Sequence, residues 1–359
     1  MLQYLIRRLL AVIPVLFGIL IVTFIIARVI PGDPCKAILG EKATPAVCER
    51  FIREKGLDKP IPEQLFIYMG EVLRGDFGNS IRMNVPVTRL LIERLPTTVE
   101  LSLSALLVSM IFGIPLGVIS AVKHNSWIDV VTMVWANIGV SMPVFWLGLM
   151  LMYVFSLLLK DTPFWLPPSG RVSPGIPTTP FFVVWGWDVG KEGFLAGFLI
   201  FFSRMNILNA LLTSNWKLLR DATEHLILPA MALGTIPMAL IARMTRSAML
   251  DVLGQDYIRT AKAKGLGKFG VIVKHAFSNA LLPLITVIGL SLGGLLGGAV
   301  LTETVFGLSG LGRTLYEAIT ARDYVIVQSF TVVIAIFYVT INLLVDISYA
   351  YLDPRIRLN

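Results

Sequence analysis

Charge is scarce in this chain. Of its 359 residues only 15% are charged while 55% are hydrophobic, and the mean hydropathy is +0.76. That balance excludes an ordinary soluble domain and predicts a polytopic membrane protein. Histidine is scarce as well: His124, His225 and His275 are dispersed, without metal-ligand spacing, so no metal site is expected. No nucleophile, base or metal ligands gather at one depth, which argues against an intramembrane enzyme and leaves no catalytic residue to name. The nucleotide-binding pattern G-x-x-x-x-G-K-[ST] is missing, because in "GLGKFG" Phe269 follows Gly267 and Lys268. The chain is therefore not expected to cradle ATP by itself. No ionisable residue falls in the middle of an apolar run and no inverted repeat is visible, which argues against a secondary carrier.

The apolar runs are long. Leu9–Ala27, Leu101–Val122, Val130–Leu159, Leu226–Ala242, Ala280–Leu301 and Val325–Val345 lie near or above the roughly 17 to 25 residues that a spanning helix needs. They predict an all-α protein with six transmembrane helices and large outer loops. Phe194–Phe202 is too short to span and reads as an interfacial or packed loop helix. The first run has Arg7 and Arg8 ahead of it, like a signal peptide. It is long for one, however, and leads into "ARVIPGDP", so a retained anchor is expected. The predicted organisation is an anchor (1–30), an extracytoplasmic loop (31–98), a core (99–350) and a tail (351–359). Within the core lie an outer insertion (160–224) and a cytoplasmic loop (251–279). With both termini in the cytoplasm, inner segments 1–8, 123–129, 243–275 and 346–359 carry 12 Lys and Arg against 5 Asp and Glu, as the positive-inside rule expects.

The most basic of the short loops has a shape as well as a charge. In Gly254–Pro283, Phe269, Ile272, Val273, Ala276 and Ala280 fall on one helical face, while Lys268, Lys274, His275, Ser278 and Asn279 take the other. Ahead of them Asp256 can begin a short helix through Lys264, with Gly265 and Gly267 as the break. A topological anchor with affinity for anionic headgroups would explain the charge. The helix, glycine joint and second helix better suit a docking element for a cytoplasmic partner.

Other features carry less. Gly289, Gly293 and Gly297, with Gly294 and Gly298, form small-x-x-x-small repeats suited to close helix packing. Pro14, Pro115, Pro143 and Pro237 are potential kinks. Asn137 and Ser141, a turn apart, are placed on a translocation path, with interhelical hydrogen bonding as the alternative. Asn342 and Asp346 share a face near the cytoplasmic end and read as structural. Gly307, Gly310 and Gly312 suggest a turn before a helix around Arg313–Thr320. Amphipathic helices are expected around Pro62–Leu73 and Val87–Leu95, and Trp165, Trp185, Trp187 and Trp216 suit a membrane interface. Cys35 and Cys48, the only cysteines, suggest an outer-loop disulfide, worth about 3 kcal/mol if unstrained, or else two free thiols.

Arg259-Thr260-Ala261, followed by Lys262-Ala263-Lys264 and Gly265, resembles the EAA-x-x-x-G signature of binding-protein-dependent ABC importer permeases. "RMTRSAMLDVLGQDYIRTAKAKGL" is similar to the dipeptide/oligopeptide branch, as are "RRLLAVIPVLFGILIVTFIIARVIPGDP", "LPTTVELSLSALLVSMIFGIPLGVISA", "SMPVFWLGLMLM", "LTETVFGLSGLGR" and "DPRIR". The likeness covers most of the chain apart from roughly 172–223. Arg259 and Thr260 depart from the signature, and "HAFS" stands where many such permeases have I-x-L-P, so a contact that depends on the signature's Glu does not carry over. The resemblance implies a type I importer permease fold in a bacterial inner membrane, moving dipeptides or short peptides. Glutathione, a nickel complex or haem are the alternative cargoes. It implies a second homologous permease, two ABC ATPases that bind ATP and Mg, and an extracytoplasmic peptide-binding protein as partners. Membrane lipid surrounds the chain, and nucleic acid has no part. Tyr257, Ile258, Ala261, Lys262, Gly265 and Leu266 are then expected to couple to an ATPase, with Tyr257, Ile258 and Ala261 facing it. Gly310, Gly312 and Arg313 are expected at an outer gate or binding-protein contact.

Overall fold

A computed structural model describes residues 2–29, 44–54, 56, 58–190 and 193–352. Among them there is no β-strand, only an isolated bridge between Asn79 and Pro86. The helices are α1 (Leu2–Val29), α2 (Pro45–Glu54), α3 (Ile61–Leu73), α4 (Val87–Val122), α5 (Trp127–Ser141), α6 (Val144–Met152), α7 (Phe181–Val184), α8 (Phe194–Ser203) and α9 (Asn206–Leu212). They continue as α10 (Trp216–Leu253), α11 (Asp256–Ala263), α12 (Ser278–Gly298), α13 (Val300–Val305), α14 (Leu311–Thr320) and α15 (Tyr324–Leu352). A π-helical stretch, Tyr153–Leu158, extends α6, and another, Gly270–Phe277, leads into α12.

Four unbroken helices are long and apolar enough to cross a membrane: Val87–Val122, Trp216–Leu253, Gly270–Gly298 and Tyr324–Ser348. The apolar part of α1 is Leu10–Ile25. The expected third span is not one rod but a pair, α5 and α6, bent by 100°. Pro143 causes the break: it holds the preceding Met142 extended at φ −104° and ψ 137°, so the α5 ladder stops and a new one begins after it. Pro14, Pro115 and Pro237, in contrast, lie inside helices that run on through them. The Phe194 segment forms α8 and turns by 95° into α9. The separate amphipathic helix expected around Val87–Leu95 is the first part of α4, which runs on through Pro96.

The molecule is organised about the crossing of α4 and α10. A Cβ on Gly113 would lie 2.8 Å from the Met238 carbonyl, one on Gly117 2.5 Å from that of Ala242, and one on Gly234 2.6 Å from that of Ala105. Only glycine admits that backbone approach. The Ser109 hydroxyl lies 2.7 Å from the Ala105 carbonyl and 2.6 Å from that of Gly234. Around this crossing Leu101, Leu106, Leu228, Leu233, Ile241 and Phe306 form the central core. A second cluster at one end of α4 joins Ala121, Met249, Ile258, Ala261, Val271 and Leu284, and a third at its other end joins Leu90, Leu311, Ile326 and Phe330. The 160–224 insertion is clamped to this frame. Arg171 pairs with the buried Glu100 of α4 at 2.8 Å, and the Ile207 amide donates to the same carboxylate at 2.7 Å. On the outside of the bundle α12 meets α15, where Gly289 faces Val345 and Gly293 faces Tyr338.

Candidate functional site

The loop from Gly254 to Phe277 is a short helix, a tight reversal and a second helix. α11 begins at Asp256, which lies in the first turn and makes no cap bond there, Gln255 being the N-cap. Its end is a Schellman closure: the Gly265 amide donates to the Lys262 carbonyl at 3.0 Å and the Leu266 amide to that of Ala261 at 3.3 Å. Gly265 takes φ +79°, which only glycine adopts without strain, and no other atom lies within 4 Å of where a Cβ would stand. The constraint there is backbone conformation alone.

The orientation of α11 differs from the expectation that Tyr257, Ile258 and Ala261 face a partner together. Ile258 and Ala261 are buried within the chain against Ala248, Met249 and Val271. An eight-residue helix lying on the bundle has to turn its apolar stripe inward, and i and i+3 are that stripe. Outward stand Tyr257, Lys262 and Leu266. The following segment also departs from the α-helical reading. Val271, Ala276 and Ala280 are the buried positions, and the i to i+5 step is the one that π-helical winding supplies. Phe269, expected on the packed face, is 79% exposed beside Leu266 at 46% and Tyr257 at 44%. All three of these apolar side chains are exposed, and Tyr257 and Leu266 are among those expected to couple to a partner.

Next to this loop α10 is tied to α5. Arg246 makes a bidentate bridge to the buried Asp129, Nε to Oδ1 and Nη2 to Oδ2, both 2.8 Å. The Ser120 hydroxyl and the Asn125 amide also donate to Asp129. One α-helical stretch further along, Arg243 donates to Asn137 Oδ1, while Asn137 Nδ2 donates to the Met133 carbonyl. Ser141 is exposed and donates to the Asn137 carbonyl. The Asn137 side chain therefore has protein partners at both ends of its amide.

At the far end of the bundle the connection between α13 and α14 wraps around a buried acid. Glu303 accepts from the Thr98 hydroxyl at 2.6 Å and from the Arg313 amide at 2.8 Å, and Thr98 in turn accepts from the Leu311 amide at 2.8 Å. Burial pushes the Glu303 carboxyl up to about 6. Gly310 and Gly312 are packed against it: a Cβ on Gly310 would overlap the Glu303 carboxyl, and one on Gly312 would lie 2.7 Å from Val300 Cα. Both are buried in the chain, and each position serves close backbone approach to the acid and its helix. Arg313 is partly exposed, with its side chain on Glu317 at 2.9 Å. Sequence reasoning missed Glu303; its signal was a lone acid just past an apolar span. Cys48 is disulfide-bonded, and Cys35 lies outside the described residues. Among the described residues no group of His, Cys, Asp and Glu is arranged to hold a metal.

A helical chain with several membrane-length spans defines a multi-pass membrane protein. The chain matches the family described as binding-protein-dependent transport system inner membrane component over residues 113–358, and that family's N-terminal region over residues 1–104. It belongs to this family and is a permease subunit of the ABC type. It is 44% identical to a dipeptide transport system permease protein DppB of Alkalihalophilus pseudofirmus, covering 99% of this chain and 100% of the relative. It is 42% identical to the Escherichia coli protein of the same name, covering 99% of both chains. It is also 42% identical to a di/tripeptide transport system permease protein DppB of Pseudomonas aeruginosa, again covering 99% of both.

Proposed function

We propose that this chain is one of two permease subunits in an ATP-driven importer of dipeptides or short peptides. The single observation that carries the reading is end-to-end similarity to relatives named as dipeptide permeases, unbroken by the insertion. The fold supports it with a turn that presents Tyr257, Leu266 and Phe269 at one end of the bundle. Two ABC ATPases dock there from the cytoplasm and hold ATP and Mg. An extracytoplasmic binding protein delivers the peptide at the opposite side, and both termini of the chain are cytoplasmic. The chain itself performs no chemistry; it supplies half of the path and converts an ATPase movement into a change of access.

The test is reconstitution in vesicles of this chain with its second permease, ATPases and binding protein. Uptake of a radiolabelled dipeptide is expected only with ATP and binding protein together, and the isolated chain is expected to hydrolyse no ATP. Uptake driven by a proton gradient without ATP would overturn the reading. Competition by unlabelled glutathione stronger than by unlabelled dipeptide would move the cargo to the alternative class.

A further inference from the structure

The α5 and α6 pair has two halves that both pack against α10 but differ in their polar and steric ties. α5 is fixed to α10 at three levels. The Asp129 to Arg246 bridge holds its first turn, Arg243 holds Asn137, and at Gly139 the absent side chain lets α5 lie against Thr235. Beyond the 100° bend, α6 packs on α13 as well as on α10. A Cβ on Gly148 would meet Phe306 at 3.0 Å, and the π-helical extension is pinned to the insertion by the Ser156 hydroxyl on the Leu166 carbonyl at 2.7 Å. The Met142–Pro143 break between the halves has no helical ladder across it, and it is the natural place for a dihedral change.

The helix to which α5 is strapped is also the one that runs straight into the docking turn. Arg246 stands ten residues before Asp256, on the last two turns of α10, and Met249 of α10 packs with Ile258 of α11 in one cluster. An Arg to carboxylate fork fixes direction as well as distance, and Asp129 is only 5% exposed, so this tie is stiff. We infer that Asp129, Arg246, Asn137 and Arg243 form a strap that makes α5 move as one body with the end of α10 and with α11, while α6 stays with α13 and the insertion. Met142–Pro143 is then the hinge. These four are positioning residues: they touch no cargo, and they carry the movement of the docking turn to the middle of the bundle. This rests on the ATP-coupled reading above.

Two measurements on the assembled complex test it, with Cys35 and Cys48 replaced by serine. Spin labels at the exposed positions Val131 and Leu240 report the α5 to α10 distance, and labels at Val131 and the exposed Leu149 report α5 to α6. Between the nucleotide-free and ATP-trapped states the first distance is expected to stay fixed and the second to shift. In the second measurement, the paired variant Asp129→Asn with Arg246→Gln should reach the membrane and assemble. Peptide taken up per ATP hydrolysed should nevertheless fall about tenfold, a ratio that a merely structural loss of complex would not move. An α5 to α10 distance that changes as much as the other, an unchanged α5 to α6 distance, or a normal uptake-to-hydrolysis ratio in the paired variant would each overturn the strap. Uptake independent of ATP in the unlabelled complex would overturn the functional reading instead.

Discussion

A carboxyl group at Glu303 is fully enclosed, with a threonine hydroxyl and the amide of Arg313 as its partners, and those donors do not restore what water would give a negative charge. Its ionisation is accordingly displaced upward to about 6 from 4.5. The sign of the consequence follows. With a folded-state value above the unfolded one, the group contributes most to stability when protonated, below about 4.5. That contribution is lost as pH rises through 6, by about 2 kcal/mol in total. Glu303→Gln removes the titration while keeping size and an acceptor for the Arg313 amide. Thermal unfolding of the detergent-purified protein between pH 4.5 and 7 should show a decline in the wild type and a flatter profile in the variant. Parallel profiles would mean that Glu303 is not the source of the slope. The packed Gly310 and Gly312 make the same point sterically, because the turn closes on the acid only where no side chain intervenes.

Helix against helix, α12 offers an internal control on what small residues do. Gly289 and Gly293 sit where a Cβ would run into Val345 and the Tyr338 ring, whereas nothing lies within 4 Å of Gly294. Gly289→Ala should force α12 and α15 apart and destabilise by about 1 to 3 kcal/mol. Gly294→Ala should be neutral or gain up to about 1 kcal/mol of helix propensity. Thermal unfolding in detergent separates them, and equal losses would show that the whole stripe is packed. The glycine periodicity in α12 was legible in the sequence, and so were the long helices and the Gly265 reversal, since each is written in consecutive residues. The tighter crossing of α4 and α10 drew no attention, although Gly113 and Gly117 stand at i and i+4, because Gly234 is their partner only in space. Pro143 was legible as a potential kink, but the unbroken apolarity on both sides concealed that it divides the span by 100°. Asp129 and Arg246 are 117 residues apart, and no local pattern joins them. The π-helical winding before α12 shifted Phe269 outward, and periodicity counted at 3.6 residues per turn assigns it to the wrong side.

For the molecule as a whole, the proposed coupling to ATPase subunits turns on the outward surface of the docking turn. Tyr257, Leu266 and Phe269 leave apolar area exposed at an end of the bundle where basic residues Lys262, Lys264 and Lys268 are also exposed, which suits a partner groove with an apolar floor and a polar rim. Replacing Phe269 by Ser should weaken association with the ATPases by about tenfold or more, as removal of a central aromatic anchor does. Lys268→Ala, at the rim, should change it little. Gly265→Val acts differently. At φ +79° a β-branched residue is strained although space is open around it, so the reversal must relax and re-aim α11 while the spans stay in place. That variant is expected to insert and assemble, with peptide uptake abolished and binding-protein-stimulated ATPase no longer tied to transport. Co-purification of the ATPases, uptake and hydrolysis measured on one preparation distinguish the cases: Phe269→Ser loses the partner, Gly265→Val keeps the partner and loses the linkage. Should Lys268→Ala prove more harmful than either, the turn acts as a basic anchor at the membrane surface, and near-normal uptake in Gly265→Val would remove the docking turn from the path of coupling.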